Sequence, residues 1–180
     1  GQWYVFYHRH THLTQYSRQG CAEKITIHPD GSIPQVEMTS CGLNEGPLSA
    51  QGTYNAAICC NLTNGHMPHT GGIRRRGSVP YITHDQTGCL IADLTNRTLI
   101  GYKYFAFTGK TALTLEAKAA GVFEIWADDV FLGRVAFSSR ENWEKRSLAF
   151  SVQGTKALYF RYSGKPDGML REFSFDRPEE

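Results

Sequence analysis

The sequence predicts an all-β fold, an antiparallel β-sandwich of the jelly-roll type, on three observations. From Pro80 onward, short stretches alternate apolar and polar residues with a period of two. Turn-forming residues separate these stretches at short intervals, as in sandwiches and barrels. No segment carries a sustained apolar stripe at helical spacing.

The bulk numbers agree with that class. A chain of 180 residues suffices for one main core with an appendage and is short for two full-sized domains. It is 41% hydrophobic and 12% aromatic with 18 glycines, which suits a globular protein and not a disordered one. The net charge is +2 with acids and bases interspersed, so no broad basic face exists and a nucleic-acid partner is disfavoured. No apolar run reaches bilayer length, and the N-terminus lacks the regions of a signal peptide. The expectation is a soluble chain without a membrane partner, cytoplasmic or secreted as part of a longer protein. Five cysteines, Cys21, Cys41, Cys59, Cys60 and Cys89, form an odd set without paired metal-ligand spacing. They predict buried free thiols, in a reducing compartment or in an extracellular fold without staples.

The chain opens inside an apolar run, Trp3-Tyr4-Val5-Phe6-Tyr7, which reads as a strand. Residues 23–27 and 33–38 are extended stretches on either side of His28-Pro29-Asp30-Gly31. Proline presets φ and glycine accepts a positive φ, so 23–38 is predicted as a hairpin. Between Cys41 and Gly52 the chain is rich in Gly, Pro, Asn and Ser and reads as a linker. Residues 56–62 are predicted as a short buried strand. Residues 63–79 carry Gly65, Gly71, Gly72, Gly77, Pro68, His66, His69 and the cluster Arg74-Arg75-Arg76. They read as a long loop kept soluble by charge.

Nine strands are then expected, at 81–84, 90–93, 101–107, 112–117, 121–127, 131–137, 146–152, 157–162 and 170–175. Tyr102, Tyr104 and Ala106 would share one face, with Lys103, Phe105 and Phe107 on the other. Turns fall at Asp128-Asp129 and at Gly164-Lys165-Pro166-Asp167-Gly168. Many short strands in this length fit a jelly roll better than a propeller or an α/β fold. Trp126 sits in an apolar strand, and core packing is its expected role.

Two stretches carry a resemblance. Trp3-Tyr4-Val5-Phe6-Tyr7-His8-Arg9, Ser17-Arg18-Gln19 and Ile33-Pro34-Gln35-Val36-Glu37-Met38-Thr39 resemble the end of the catalytic domain of family 43 glycoside hydrolases. Gly52-Thr53-Tyr54-Asn55-Ala56-Ala57-Ile58, Pro80-Tyr81-Ile82-Thr83 and Gly101-Tyr102-Lys103-Tyr104-Phe105 resemble the module that follows it in some members. That module is similar to family 6 carbohydrate-binding modules. The resemblance implies residues 1–45 as strands left from the last blade of a five-bladed β-propeller and 46–180 as the jelly-roll sandwich. It implies a parent enzyme that hydrolyses arabinose- or xylose-containing plant polysaccharides with inversion, using paired carboxylates. Those carboxylates belong to earlier blades, so no catalytic residue is assigned in this chain.

The resemblance also implies a role for His8. In the family, a histidine in this Tyr-His-Arg position points toward the propeller axis and in some members helps hold a central metal through water. Read from the residues alone, His8, His10 and His12 are one face of a strand and lack the fourth group a metal site needs. Sugar binding by the family 6-like region implies aromatic stacking, with Tyr81, Tyr102 and Trp143 as the rings and Arg140 beside them. The family's loop-edge site uses a tyrosine, a tryptophan and an asparagine. Here Arg140 stands at the first tryptophan position, Trp143 matches the second, and Asp167-Gly168-Met169-Leu170 carries no asparagine. Asp176 falls near where such modules place an aspartate on structural calcium, although one carboxylate is not a calcium site.

The expected function is a non-catalytic accessory region of such a hydrolase, supporting the upstream propeller domain and binding glycan. The alternatives are a structural module without a ligand, and a part of an active hydrolase only when joined to the upstream domain. A stand-alone hydrolase would need two carboxylates facing one pocket. Glu37, Glu45, Asp85 and Asp93 are the loop-proximal acids, and nothing in the sequence pairs them.

Overall fold

The computed structural model describes residues 1–13, 18–66 and 79–176. Two strands, β1 (Trp3–Arg9) and β2 (Gln19–Ile25), form an antiparallel pair with Trp3 opposite Ile25 and Arg9 opposite Gln19. The remaining strands are β3 (Leu48–Ser49), β4 (Gly52–Asn55), β5 (Asn61–Thr63), β6 (Tyr81–Asp85), β7 (Gly88–Leu94), β8 (Thr98–Lys118), β9 (Gly121–Ala127), β10 (Val130–Phe137), β11 (Glu144–Gly164) and β12 (Gly168–Asp176). Their ladder runs β10-β9-β11-β8-β12-β7-β6, with β3 and β5 on β8 and β4 on β12. All pairings are antiparallel except β3 with β8. The fold is an all-β antiparallel sandwich.

Two long strands make the sandwich from one ladder. β8 and β11 have 21 residues each and pair almost end to end. The first half of β8 and the second half of β11 join β5 and β9, while the second half of β8 joins β12. The inner faces meet in a core of large rings. Tyr102 of β8 lies 4.6 Å from Phe173 of β12, and Phe160 of β11 lies 5.5 Å from the same ring. Each fully buried Phe contributes roughly 1.5–3 kcal/mol by leaving water, so this cluster is the main source of stability.

The structure corrects several expectations. Residues 101–107 and 112–117 are one strand, as are 146–152 and 157–162. The alternation around Tyr102 does not persist. Three steps along β8 from Tyr102 to Phe105 match two along β11 from Leu158 to Lys156, so β8 carries a bulge. The extra residue reverses parity, and Tyr102 and Phe105 both point inward with 0% exposure. Residues 56–62 are not a strand: Ala56–Ile58 is a single 3₁₀ turn capped by the Asn55 side chain, and β5 follows it. His69 and the three consecutive arginines lie outside the described residues.

The hairpin expected at 23–38 is also different. Its turn forms, with the Gly31 amide donating to the His28 carbonyl at 2.9 Å. β2 instead pairs backward with β1, and residues 33–38 run as an unpaired strap. The strap is pinned by side chains. Glu23, 5% exposed, accepts from the Thr39 amide at 2.8 Å, the Thr39 hydroxyl at 2.6 Å and the Tyr7 hydroxyl at 3.0 Å. A buried carboxylate with three donors is fully compensated for leaving water.

The β1–β2 pair is fastened to the sandwich. The Arg9 guanidinium donates to the Cys59 carbonyl at 2.6 Å, and the Gln19 carboxamide donates to the Ala57 carbonyl at 2.9 Å. The Ile82 amide donates to the Thr11 carbonyl at 2.7 Å, and the Ser40 amide to the Lys103 carbonyl at 2.5 Å. Glu37 completes the seam, taking Lys103 Nζ at 2.7 Å and the Tyr104 hydroxyl at 2.8 Å. All five cysteines are free; Cys59 and Cys60 are buried at this seam, and burial pushes the Cys59 thiol up to about 12.

Candidate functional site

The residues expected to bind sugar do not form one site. Tyr102 is wholly buried and its hydroxyl donates to the Ala56 carbonyl at 3.0 Å, so it has no ring face for a ligand. The bulge that turned it inward is the cause. Tyr81 is half-buried at the start of β6, opposite Ala92. Trp143 belongs near the other end of that strand. Its ring lies 3.8 Å from the Arg171 guanidinium, and Arg171 also donates to Asp85, the last residue of β6, at 3.0 Å. The ends of β6 are roughly 13 Å apart at the rise of an extended chain. Tyr81 and Trp143 therefore do not converge on one pyranose.

Trp143 is held by cations. Arg171 covers one ring face, and Lys118 Nζ stands 5.4 Å from the ring centroid. Arg171 is anchored in turn by Glu116 at 3.2 Å and Asp85 at 3.0 Å. The Thr87 hydroxyl and amide, followed by Arg171, hold the Asp85 carboxyl down at about 2. A stacked, doubly paired guanidinium is a durable cover, so one face of Trp143 is already occupied. Arg140 ties two loops together, donating to the Pro166 carbonyl at 3.1 Å and facing the Asp167 carboxylate at 3.6 Å. Both contacts are to the neighbouring loop before β12.

His8 lies on β1 opposite Gly20, exposed, with its ring stacked 5.3 Å from that of His10. Asp176 is exposed at the end of β12 opposite Ala112. Among the described residues, no three His, Cys, Asp or Glu side chains gather to hold a metal. Among the described residues no helix is long and apolar enough to cross a membrane.

Two features escaped the sequence reading. The first is a row of rings on the outward face of β10, β9 and β11. Phe131 pairs with Trp126 and Trp126 with Tyr159, and Tyr159 lies against Gly101 of β8. Trp126 is thus not a core residue. It is half-buried with Arg161 at 4.7 Å over its ring, and its indole nitrogen is buried without a partner among the described residues. Strand parity held this signal, since Phe123, Ile125 and Ala127 point inward and the residues between them point out.

The second feature is a cleft of about 390 Å³ between β2 and the segment 34–47. Thr26, Gln35, Glu37, Asn44, Glu45 and Tyr104 are among its lining residues. The cleft gathers Glu37 and Glu45, which the sequence leaves unrelated. Lys103 and the Tyr104 hydroxyl hold the Glu37 carboxyl below the usual carboxylate range. That is opposite to the raised pKa of a general acid, so Glu37 is suited to accepting hydrogen bonds and not to protonating a glycosidic oxygen.

No family model matches the chain. The chain is 39% identical over 188 residues to a xylosidase/arabinosidase of Thermoclostridium stercorarium, across 97% of this chain and 40% of that protein. It thus spans about 40% of the length of the curated relative it matches. Among solved structures it resembles a family 43 arabinoxylan arabinofuranohydrolase from Bacillus subtilis, in complex with cellotetraose. The TM-score is 0.62 at 15% identity, over 98% of this chain and 39% of that one. It also resembles a family 6 carbohydrate-binding module from Clostridium stercorarium, in complex with cellobiose. There the TM-score is 0.59 at 18% identity, over 74% of this chain and 98% of the module. The structural likenesses speak for the fold, and the sequence match carries the relationship. The chain is similar in sequence to a stretch of a xylosidase/arabinosidase, and its fold matches part of a family 43 enzyme and a family 6 carbohydrate-binding module.

Proposed function

We propose that this chain is the non-catalytic accessory region of a glycoside hydrolase acting on arabinose- and xylose-containing plant polysaccharides. In this reading residues 1–45 belong with the catalytic propeller and 46–180 are the sandwich that supports it and holds glycan nearby. The seam carries the proposal. Arg9, Gln19 and Glu37 spend charged or amide side chains on backbone and side-chain partners across it, at 2.6–2.9 Å. Charge-assisted bonds of this kind position two units rigidly, as a support for a larger domain requires. Both faces of β1 fit the same reading, with Trp3 60% exposed on one and Phe6 71% exposed on the other. Two-stranded sheets with such faces need further cover. The sandwich fold supports glycan holding, since a module of this fold is bound to cellobiose in the Clostridium stercorarium structure.

Affinity electrophoresis of the purified chain through gels containing arabinoxylan, xylan or arabinan tests the glycan half. Retarded migration in at least one polysaccharide is expected. Unchanged migration in all three leaves the sandwich as a structural module, the second reading, which the cation-covered Trp143 ring favours.

A further inference from the structure

The cleft between β2 and the strap is not used by the loop-edge site that family 6-like modules suggest. Its volume of about 390 Å³ falls within the range of small-ligand clefts, ~300–1,000 Å³, and it is a groove open to solvent along Gln35, Asn44 and Glu45. Its lining mixes one ring, Tyr104, with planar hydrogen-bonding groups, the carboxamides of Gln35 and Asn44 and the carboxylates of Glu37 and Glu45. Planar acceptors and donors match the vicinal hydroxyls of a sugar, and an aromatic face matches its C–H side. Charge narrows the ligand further. The charged lining is three glutamates, Glu23, Glu37 and Glu45, and a single cation, Lys24, so an anion gains nothing there.

The walls are held in place before any ligand arrives. Glu37 is fixed by Lys103 at 2.7 Å and by Tyr104 at 2.8 Å. The strap is held at Thr39 by buried Glu23 and at Ser40 by the Lys103 carbonyl. The Asn44 carboxamide donates to the Cys41 carbonyl at 2.6 Å, closing the turn that forms one end. Such preorganisation lowers the entropy that a ligand must overcome.

We infer that this cleft is a second glycan site, taking a short neutral oligosaccharide of pentose or hexose units between β2 and the strap and binding it without hydrolysis. The inference rests on the glycan-holding reading above and moves the contact from the sandwich loops to the seam. Titration of the ¹⁵N-labelled 180-residue chain with xylo-, arabino- and cello-oligosaccharides tests it by amide shifts. Shifts are expected at residues 24–26 and 35–46. Gln35→Ala and Glu45→Gln, both at exposed positions, should each weaken binding by about fivefold to tenfold with an unchanged melting temperature. Shifts confined to residues 139–143 and 164–168, or an affinity that both variants leave intact, would overturn the cleft and leave glycan holding in force. No shift with any sugar would overturn both.

Discussion

The sandwich and the N-terminal β1–β2 pair with its strap are built from similarly apolar sequence, yet they use it in opposite ways. In the sandwich Phe105, Phe123, Phe160 and Phe173 are all at 0% exposure. In the N-terminal part Trp3, Phe6, Ile33 and Leu43 are between 53% and 71% exposed. The sandwich closes its own core because β8 and β11 are long enough to serve both layers. The β1–β2 pair has one partner strand each and cannot bury both faces. What holds it in place is polar: the Glu23 and Glu37 carboxylates, the Arg9 guanidinium, the Gln19 carboxamide and a few backbone bonds. Apolar packing therefore sets the stability of one region, and specific hydrogen bonds set the position of the other.

That contrast is open to attack by substitution. Phe173→Ala strikes the ring cluster shared by both layers and should cost roughly 3–5 kcal/mol, seen as a large fall in the urea midpoint of the whole chain. Glu23→Ala removes the acceptor of three donors and should cost about 2–3 kcal/mol. Its signature is local: hydrogen exchange should speed up over residues 33–40 while the sandwich amides stay protected. A uniform loss of protection would mean that the two regions unfold as one. Arg9→Ala should cost about 1–2 kcal/mol through the Cys59 carbonyl it leaves unpaired, again with faster exchange confined to the seam.

Acid should loosen the same seam. His12 lies in the N-terminal part and feels His84 of β6; burial first and His84 second lower its pKa below the ordinary value near ~6.5. The folded state therefore disfavours the proton that the unfolded chain accepts. The stability from neutral His12 is complete above ~6.5 and declines as pH falls through that value toward the lower folded pKa. Melting temperatures between pH 8 and 5 should drop, and His84→Gln should flatten the drop. An equal slope in the variant would remove His84 from the account. Phe6→Ser is expected to change stability least, by about 0.5 kcal/mol or less, while reducing self-association in light scattering, because the ring is 71% exposed.

The legible part of the fold was the part governed by local periodicity. β9, β10 and β12 lie within one or two residues of their expected bounds because inward Phe123, Ile125, Phe173 and Phe175 mark the period directly. The bulge opposite Lys156 and Leu158 has no local signature, since it depends on which strand lies alongside. Tyr102 was misread for that reason. Pro29-Asp30-Gly31 marked a turn correctly but could not reveal that β2 would pair with β1 instead of with the strap. The site was less legible still. Trp143 was visible as a ring, whereas its cover, Arg171, is 28 residues away in sequence. The cleft joins Thr26, Glu37, Glu45 and Tyr104, which no spacing relates. Only long-range contacts bring them together.

The central proposal is that the chain assists glycan hydrolysis without carrying it out. The most direct measurement is the release of arabinose or xylose when the purified chain is incubated with aryl arabinofuranosides and aryl xylosides. The account predicts release no faster than the spontaneous rate at every pH from 4 to 8. Turnover above that rate, lost in a Glu37→Gln or Glu45→Gln variant, would contradict it and make the cleft between β2 and the strap an active site.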